Sequence, residues 1–181
     1  MEIVVKNTML LFLYRSFCFK FVQFKTYNNN LINIVDALNI KNKKKRIEYV
    51  YDDAIKYIND YYYEDLCKFE NGRCIVQRKN NNDNVNGCCR MCPLVTDRGC
   101  PSSNLVCKLV YCKTALGNFK LLKLYQIPIL KCLSIRQRII LQASFFCTRD
   151  EIIKKLNYGI IYSSFIFLKK ELCLNSKIKR T

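Results

Sequence analysis

Apolar side chains recur at helical spacing over residues 48–66, with charged residues mostly between them. The apolar positions are Val50, Ala54, Ile55, Ile58, Tyr61, Tyr62 and Leu66. A shorter pattern of the same kind covers residues 31–40. Between the two lies the charged run KNKKKR, residues 41–46, which we interpret as a solvated linker rather than a polyanion contact. The pattern predicts two helices joined by this linker.

The C-terminal third returns to helical patterning. Residues 129–143 carry apolar positions at helical spacing, and Pro128 suits a first helical turn. Thr148 and Glu151 have the spacing of a capping box, so a new helix should open over residues 150–156.

We expect the helix over 48–66 to pack against helices within 129–157, with a helix end near 157–159. The apolar run at 160–172 fits either a helix or a pair of strands. The fold prediction is therefore a mainly α-helical chain, with helices framing an irregular cysteine-rich metal-binding module.

The N-terminal residues are apolar but interrupted by charge. Arg15 and Lys20 break residues 8–24, so no stretch is long enough to span a bilayer. The longest apolar run is also too short for a secretion signal. We expect residues 1–45 to form an apolar extension and linker. Residues 46–181 should form a single helical domain containing the cysteine module at 67–112.

Cysteine is the residue that carries candidate chemistry. The chain has 12 cysteines and no histidine, which excludes a histidine base and an imidazole metal ligand. Eight cysteines crowd into a Gly- and Pro-containing stretch: Cys67, Cys74, Cys88, Cys89, Cys92, Cys100, Cys107 and Cys112. The other four, Cys18, Cys132, Cys147 and Cys173, lie in apolar contexts and are interpreted as small buried hydrophobes.

The eight clustered cysteines predict a zinc site or an iron–sulfur cluster. Cys89 and Cys92 have the spacing of a chelating pair, in which two thiolates bind one ion around a tight turn. Between Cys67 and Cys74, the Asn71-Gly72 turn signal should bring the two cysteines to face each other. Without histidine, the site must be all cysteine or include a carboxylate such as Asp97.

Three other interpretations of the cysteines stay open. They could form disulfides, although a disulfide framework normally accompanies a secretion signal. They could also be plain core residues. A reactive thiol at Cys88 or Cys89 would make the chain a thiol-dependent enzyme, with a base other than histidine.

The chain carries a formal charge of +17, concentrated near its C-terminus. Residues 118–181 hold 13 basic and 3 acidic side chains. Such a surface favours nucleic acid or another polyanion as a partner, but a codon bias towards lysine also accounts for it, and we favour that explanation. The basic residues Arg136, Arg138, Arg149, Lys154 and Lys155 would fit a helix-turn-helix, but we favour two basic amphipathic helices that cover a small core.

The segments CKFENGRCIVQR, NGCCRMC, GCPSSNLVCKLVYC and LSIRQRIILQASFFCTRDEIIKKL resemble an uncharacterised cysteine-rich family of low-GC Gram-positive bacteria. The resemblance covers roughly residues 46–157 and implies a bacterial, cytoplasmic protein without an assigned activity. The first two segments are also similar to elements of the YkgJ-type zinc- or iron-chelating cysteine cluster proteins. In that family the adjacent cysteine pair comes first, whereas here Cys67 and Cys74 precede it.

Overall fold

A computed structural model describes residues 1–9, 11, 21–63, 66–68, 70–71, 73–80, 104–111 and 113–159. In this part the chain is mainly helical, as the pattern predicts. The strands are β1 (Glu2–Val4) and β2 (Gln23–Lys25). The α-helices are α1 (Ile32–Asn39), α2 (Lys43–Tyr61), α3 (Ile75–Asn80), α4 (Lys113–Leu116), α5 (Ile135–Gln142) and α6 (Arg149–Tyr158). Short 3₁₀ turns cover Asn29–Leu31, Cys107–Leu109, Leu124–Gln126 and Pro128–Cys132.

Strands β1 and β2 pair in parallel, with Ile3 opposite Phe24. The ring of Phe24 is buried in the core. The side chain of Asn39, the last residue of α1, forms two hydrogen bonds with the backbone of Phe24. The Phe24 N–H donates to Asn39 Oδ1 at 2.8 Å, and Asn39 Nδ2 donates to the Phe24 carbonyl at 2.9 Å. An amide side chain thus satisfies both backbone groups of a residue on this short sheet.

Helix α2 begins at Lys43, five residues before the position that apolar spacing predicts. Asn42 caps it, because its side-chain oxygen accepts from the Lys45 N–H at 3.1 Å. The charged run is therefore mostly the first turn of the helix. The interpretation of the run as a linker is wrong, because a cap sets where a helix begins and amphipathic spacing does not. At the other end, Tyr62 closes the helix earlier than predicted.

The pattern over 129–143 covers two elements. A 3₁₀ turn spans Pro128–Cys132, and α5 starts only after Ser134. Ser134 forms a capping box with Gln137, in which Gln137 N–H donates to Ser134 Oγ at 3.1 Å and Ser134 N–H donates to Gln137 Oε1 at 2.8 Å. The extended backbone that a cap residue needs separates the turn from the helix.

Helix α6 has the predicted boundaries. Its cap is Thr148, whose hydroxyl accepts from the Glu151 N–H, while Glu151 accepts from the Thr148 N–H. The helix ends before Gly159, which has φ 79°, a value that favours glycine. It packs against α2, so the predicted packing between these two parts of the chain is confirmed.

One hydrophobic core joins most of these elements. Its fully buried members include Phe24 from β2, Leu38 from α1, Tyr51 and Ile58 from α2, Leu105, Leu141 from α5, and Ile152 and Leu156 from α6. Each such side chain stabilises the fold by roughly 1.5–3 kcal/mol relative to exposure. None of the described helices has the length and apolar character needed to cross a membrane.

Candidate functional site

Three of the eight cysteines predicted as metal ligands belong to the described residues. Cys67, Cys74 and Cys107 are all partly buried. The remaining five, Cys88, Cys89, Cys92, Cys100 and Cys112, lie outside the described residues, and so does Asp97. The prediction of a reactive thiol at Cys88 or Cys89 falls outside them as well.

Cys67 and Cys74 stand at the two ends of a tight hairpin. Glu70 and Arg73 form an antiparallel bridge, and their two backbone hydrogen bonds are both 3.0 Å long. Asn71 adopts φ 50°, the left-handed conformation that asparagine tolerates in such turns. The Ile75 N–H then donates to the Cys67 carbonyl at 2.9 Å. The predicted turn between the two cysteines is thus present.

The hairpin leads directly into α3. Cys74 precedes the helix, and its N–H donates to the side chain of Gln77 at 2.9 Å. The Arg78 guanidinium folds back over the hairpin, donates to the Lys68 carbonyl and forms an ion pair with Glu70. These contacts hold the loop closed, with one cysteine at each end.

Cys107, near the end of the cysteine-rich stretch, is the first residue of the 3₁₀ turn Cys107–Leu109. Its N–H donates to Asn104 Oδ1 at 3.0 Å. Among the described residues, no group of three or more Cys, Asp or Glu side chains comes together in a way that could hold a metal ion. Within those ranges, no disulfide joins one cysteine to another.

The helices before and after residues 81–112, α3 and α4, pack together. Helix α3 contacts α4, so the chain leaves and returns at one place. Beside this junction lies a pocket of about 490 Å³, lined among others by Tyr63, Leu66, Lys68, Ile75 and Phe119. The lining of the pocket therefore includes residues in and next to the hairpin as well as aromatic residues.

Phe119, which lines the pocket, also belongs to an aromatic cluster. Tyr62 packs edge-to-face against Tyr111 and Phe119, with ring centroids 5.2 and 5.8 Å apart. Its hydroxyl accepts from the Leu122 N–H at 2.8 Å. Burial raises the pKa of Tyr62, while the Leu122 hydrogen bond opposes the rise. The three rings are thus engaged in packing against one another.

A buried polar network connects residues 104–105, within the cysteine-rich stretch, to the turn between α5 and α6. Asn104 is fully buried, and its Nδ2 donates to the carbonyls of Ser144 and Cys147 at 2.8 and 2.9 Å. The next residue, Leu105, donates its N–H to the Tyr51 hydroxyl at 3.0 Å. Burial raises the pKa of Tyr51 to about 12.

Cys132 and Cys147 are buried, as expected for small hydrophobes, whereas Cys18 and Cys173 lie outside the described residues. Cys147 has a polar role that its apolar context does not indicate: Lys155 Nζ lies 3.0 Å from its sulfur. A signal for this contact exists in the sequence. Lys155 is three residues after Ile152 and one before Leu156, which places it on the buried face of α6.

The basic residues that would fit a helix-turn-helix have different environments. Arg149 is engaged with Asp52, and this hydrogen bond holds the pKa of Arg149 above its usual range. Lys155 is buried, whereas Arg136 and Lys154 are exposed. The α5–α6 pair covers the core, and only part of its basic charge faces solvent.

No protein-family model, curated protein or solved structure matches the chain.

Proposed function

We propose that the chain is a metal-binding protein with an all-cysteine zinc site or iron–sulfur cluster. Its ligands are drawn from Cys67, Cys74, Cys88, Cys89, Cys92, Cys100, Cys107 and Cys112. The observation that carries the proposal is the closed hairpin between Cys67 and Cys74, with Glu70 bridged to Arg73 and a half-buried cysteine at each end. A turn of this kind lets two thiolates reach one ion while the backbone keeps its own hydrogen bonds.

Two further features support a metal centre in the cysteine-rich stretch. The packing of α3 against α4 brings the two ends of residues 81–112 together, which lowers the entropy cost of gathering the cysteines between them. The stretch also lacks histidine, so thiolates are the donors that remain, and soft thiolates suit zinc and iron–sulfur clusters. The metal has a structural role or carries electrons.

A metal-bound set of thiolates requires a reducing compartment. We therefore place the protein in the cytoplasm, where thiols stay reduced. The resemblance to a bacterial cysteine-rich family is consistent with this placement.

Paired substitution tests the proposal. Metal content should fall in the Cys67→Ala/Cys74→Ala variant and stay unchanged in the Cys132→Ala/Cys147→Ala variant, which removes two buried thiols outside the cluster. Elemental analysis for zinc and iron, on protein purified anaerobically with a reductant, measures both. Visible absorbance distinguishes an iron–sulfur cluster from zinc. Equal metal content in the two folded variants would contradict the assignment of this hairpin.

Binding of nucleic acid through residues 118–181 is the second candidate, and the exposure of Arg136 and Lys154 favours it. Contacts of this kind release counterions, so the affinity for RNA or DNA should fall steeply as salt rises. Reversing both charges should abolish binding at low salt. Retention of binding by the Arg136→Glu/Lys154→Glu variant would exclude this surface.

A further inference from the structure

A lysine amino group and a cysteine sulfur meet inside the fold, far along the chain from the clustered cysteines. Lys155 Nζ lies 3.0 Å from Cys147 Sγ. Cys147 is 3% exposed and Lys155 is 9% exposed. The two groups therefore contact each other with little access to bulk water.

A buried lysine is costly to the fold unless a polar partner satisfies its amino group. No ion pair joins Lys155 to a carboxylate within the described part of the chain, and the sulfur is the partner it reaches. The Cys147 thiol is also 3.3 Å from the Phe145 carbonyl oxygen. Nitrogen, sulfur and carbonyl thus form a short buried chain.

The backbone around Cys147 is held in a defined conformation. The Cys147 carbonyl accepts from Asn104 Nδ2, and the next residue, Thr148, is fixed as the cap of α6. On the other side, Phe146 adopts φ 54°, a strained value for an aromatic residue. This framework keeps the sulfur against the second turn of α6, where Lys155 lies.

We propose that Cys147 and Lys155 form an oxidative modification site, at which oxidation of the thiol by a peroxide leads to a covalent S–N bond between the cysteine sulfur and the lysine nitrogen. Hydrogen peroxide transfers one oxygen to the thiol, giving a sulfenic acid and one water. The lone pair of the Lys155 nitrogen then attacks the sulfur. The S–N bond forms, the S–O bond breaks, and the departing hydroxide takes a proton from nitrogen to give a second water.

The electrons balance across these two steps. Sulfur loses two electrons and peroxide gains two, so the protein loses two hydrogen atoms in total. Sulfenic acids condense in the same way with backbone nitrogen, and the products return to thiols in the presence of a thiol reductant. Contact with an amine diverts Cys147 from the irreversible sulfinic and sulfonic acids. The proposal does not depend on the metal site.

Peptide mapping of the full-length protein tests the proposal. The protein is treated with hydrogen peroxide, alkylated, and digested with trypsin. Cleavage after Arg138 and Arg149 places Cys147 in a peptide that holds neither Lys155 nor Cys132, so a cross-link appears as two joined peptides whose mass is two hydrogens below their sum. We expect this joined species in wild-type protein, and we expect dithiothreitol to remove it.

Cys132 serves as a control within the same digest, because it is buried like Cys147 but contacts the Ile34 carbonyl at 4.0 Å. It should form no lysine-linked peptide. The joined species should also be absent from Lys155→Met. Recovery of Cys147 from oxidised wild-type protein as a thiol, a disulfide or a sulfinic acid, without a peptide linked to Lys155, would overturn the proposal. Because this result comes from wild-type protein, it does not depend on whether the variant folds.

Discussion

Arg149, the first residue of α6, donates two parallel hydrogen bonds to the carboxylate of Asp52 in α2. Arg149 Nε lies 2.7 Å from Asp52 Oδ1, and Arg149 Nη2 lies 2.6 Å from Asp52 Oδ2. The residues are 97 positions apart in the chain, so the pair fixes how two distant helices meet. Both side chains are partly exposed to water.

Replacing this arginine should weaken the fold only modestly. We expect Arg149→Met to lower the free energy of unfolding by about 0.5–1 kcal/mol, because solvent screens an exposed pair even in two-pronged geometry. Urea titration measures the change. The control is Lys154→Met on the exposed face of the same helix, which should change stability by less than about 0.5 kcal/mol. Equal losses in the two variants would mean that the pair contributes nothing specific.

The buried amide of Asn104 should matter more. In Asn104→Ala, the Cys107 N–H and the carbonyls of Ser144 and Cys147 lose their partner inside the fold. A buried polar group left unsatisfied costs about 1–3 kcal/mol, so we expect a loss of about 3 kcal/mol in all. Urea titration against Asn118→Ala, an exposed asparagine, is the matched comparison. A loss below about 1 kcal/mol would show that water or a rearranged backbone replaces these bonds.

Tyr51 should make the fold sensitive to alkali. Burial raises its pKa from 10.0 to about 12, so the folded chain holds this proton more tightly than the unfolded chain. The resulting stability is fully present below about pH 10 and disappears as pH rises through about 12, a loss of order 2–3 kcal/mol. Urea titrations from pH 9 to pH 12 measure it.

The matched variant for this loss of stability at high pH is Tyr51→Phe, which keeps the ring and removes the titrating group. Its stability should fall less between pH 10 and pH 12 than that of wild-type protein, although it starts lower because the Leu105 N–H loses its acceptor. Parallel pH profiles for the two proteins would show that Tyr51 does not control this transition.

The cap of α6 gives a further prediction. Thr148→Ala removes the hydroxyl that accepts from the Glu151 N–H and should cost about 1 kcal/mol. Thr148→Asp retains an acceptor at the same position and should restore most of that stability. Thermal unfolding followed by circular dichroism compares the three proteins. A Thr148→Asp variant as unstable as Thr148→Ala would argue against capping as the cause.

Features encoded by near neighbours could be predicted from the sequence. The cap at Thr148 and Glu151, the end of α6 and the turn before Cys74 each depend on a few adjacent residues, and all are present. Asn42 and Ser134 are caps of the same kind, but surrounding charge and apolar residues hide their signals. As a result, the start of α2 and the break before α5 were predicted wrongly.

Contacts between distant residues could not be predicted in this way. The parallel pairing of β1 with β2 depends on which short segments meet in space, and apolar spacing does not encode that choice. The same is true of Asn104, which reaches residues 40 and 43 positions away. For the proposed metal site, composition and spacing indicate cysteine as the ligand, but which thiols would share an ion depends on the folded arrangement.

The metal content of wild-type protein tests the central claim most directly. The full-length chain should be purified anaerobically with a reductant, without added metal, and analysed for zinc and iron per chain. A metal-binding cysteine module predicts at least one zinc ion or one iron–sulfur cluster per folded chain. Folded protein that contains neither metal under these conditions would contradict the account.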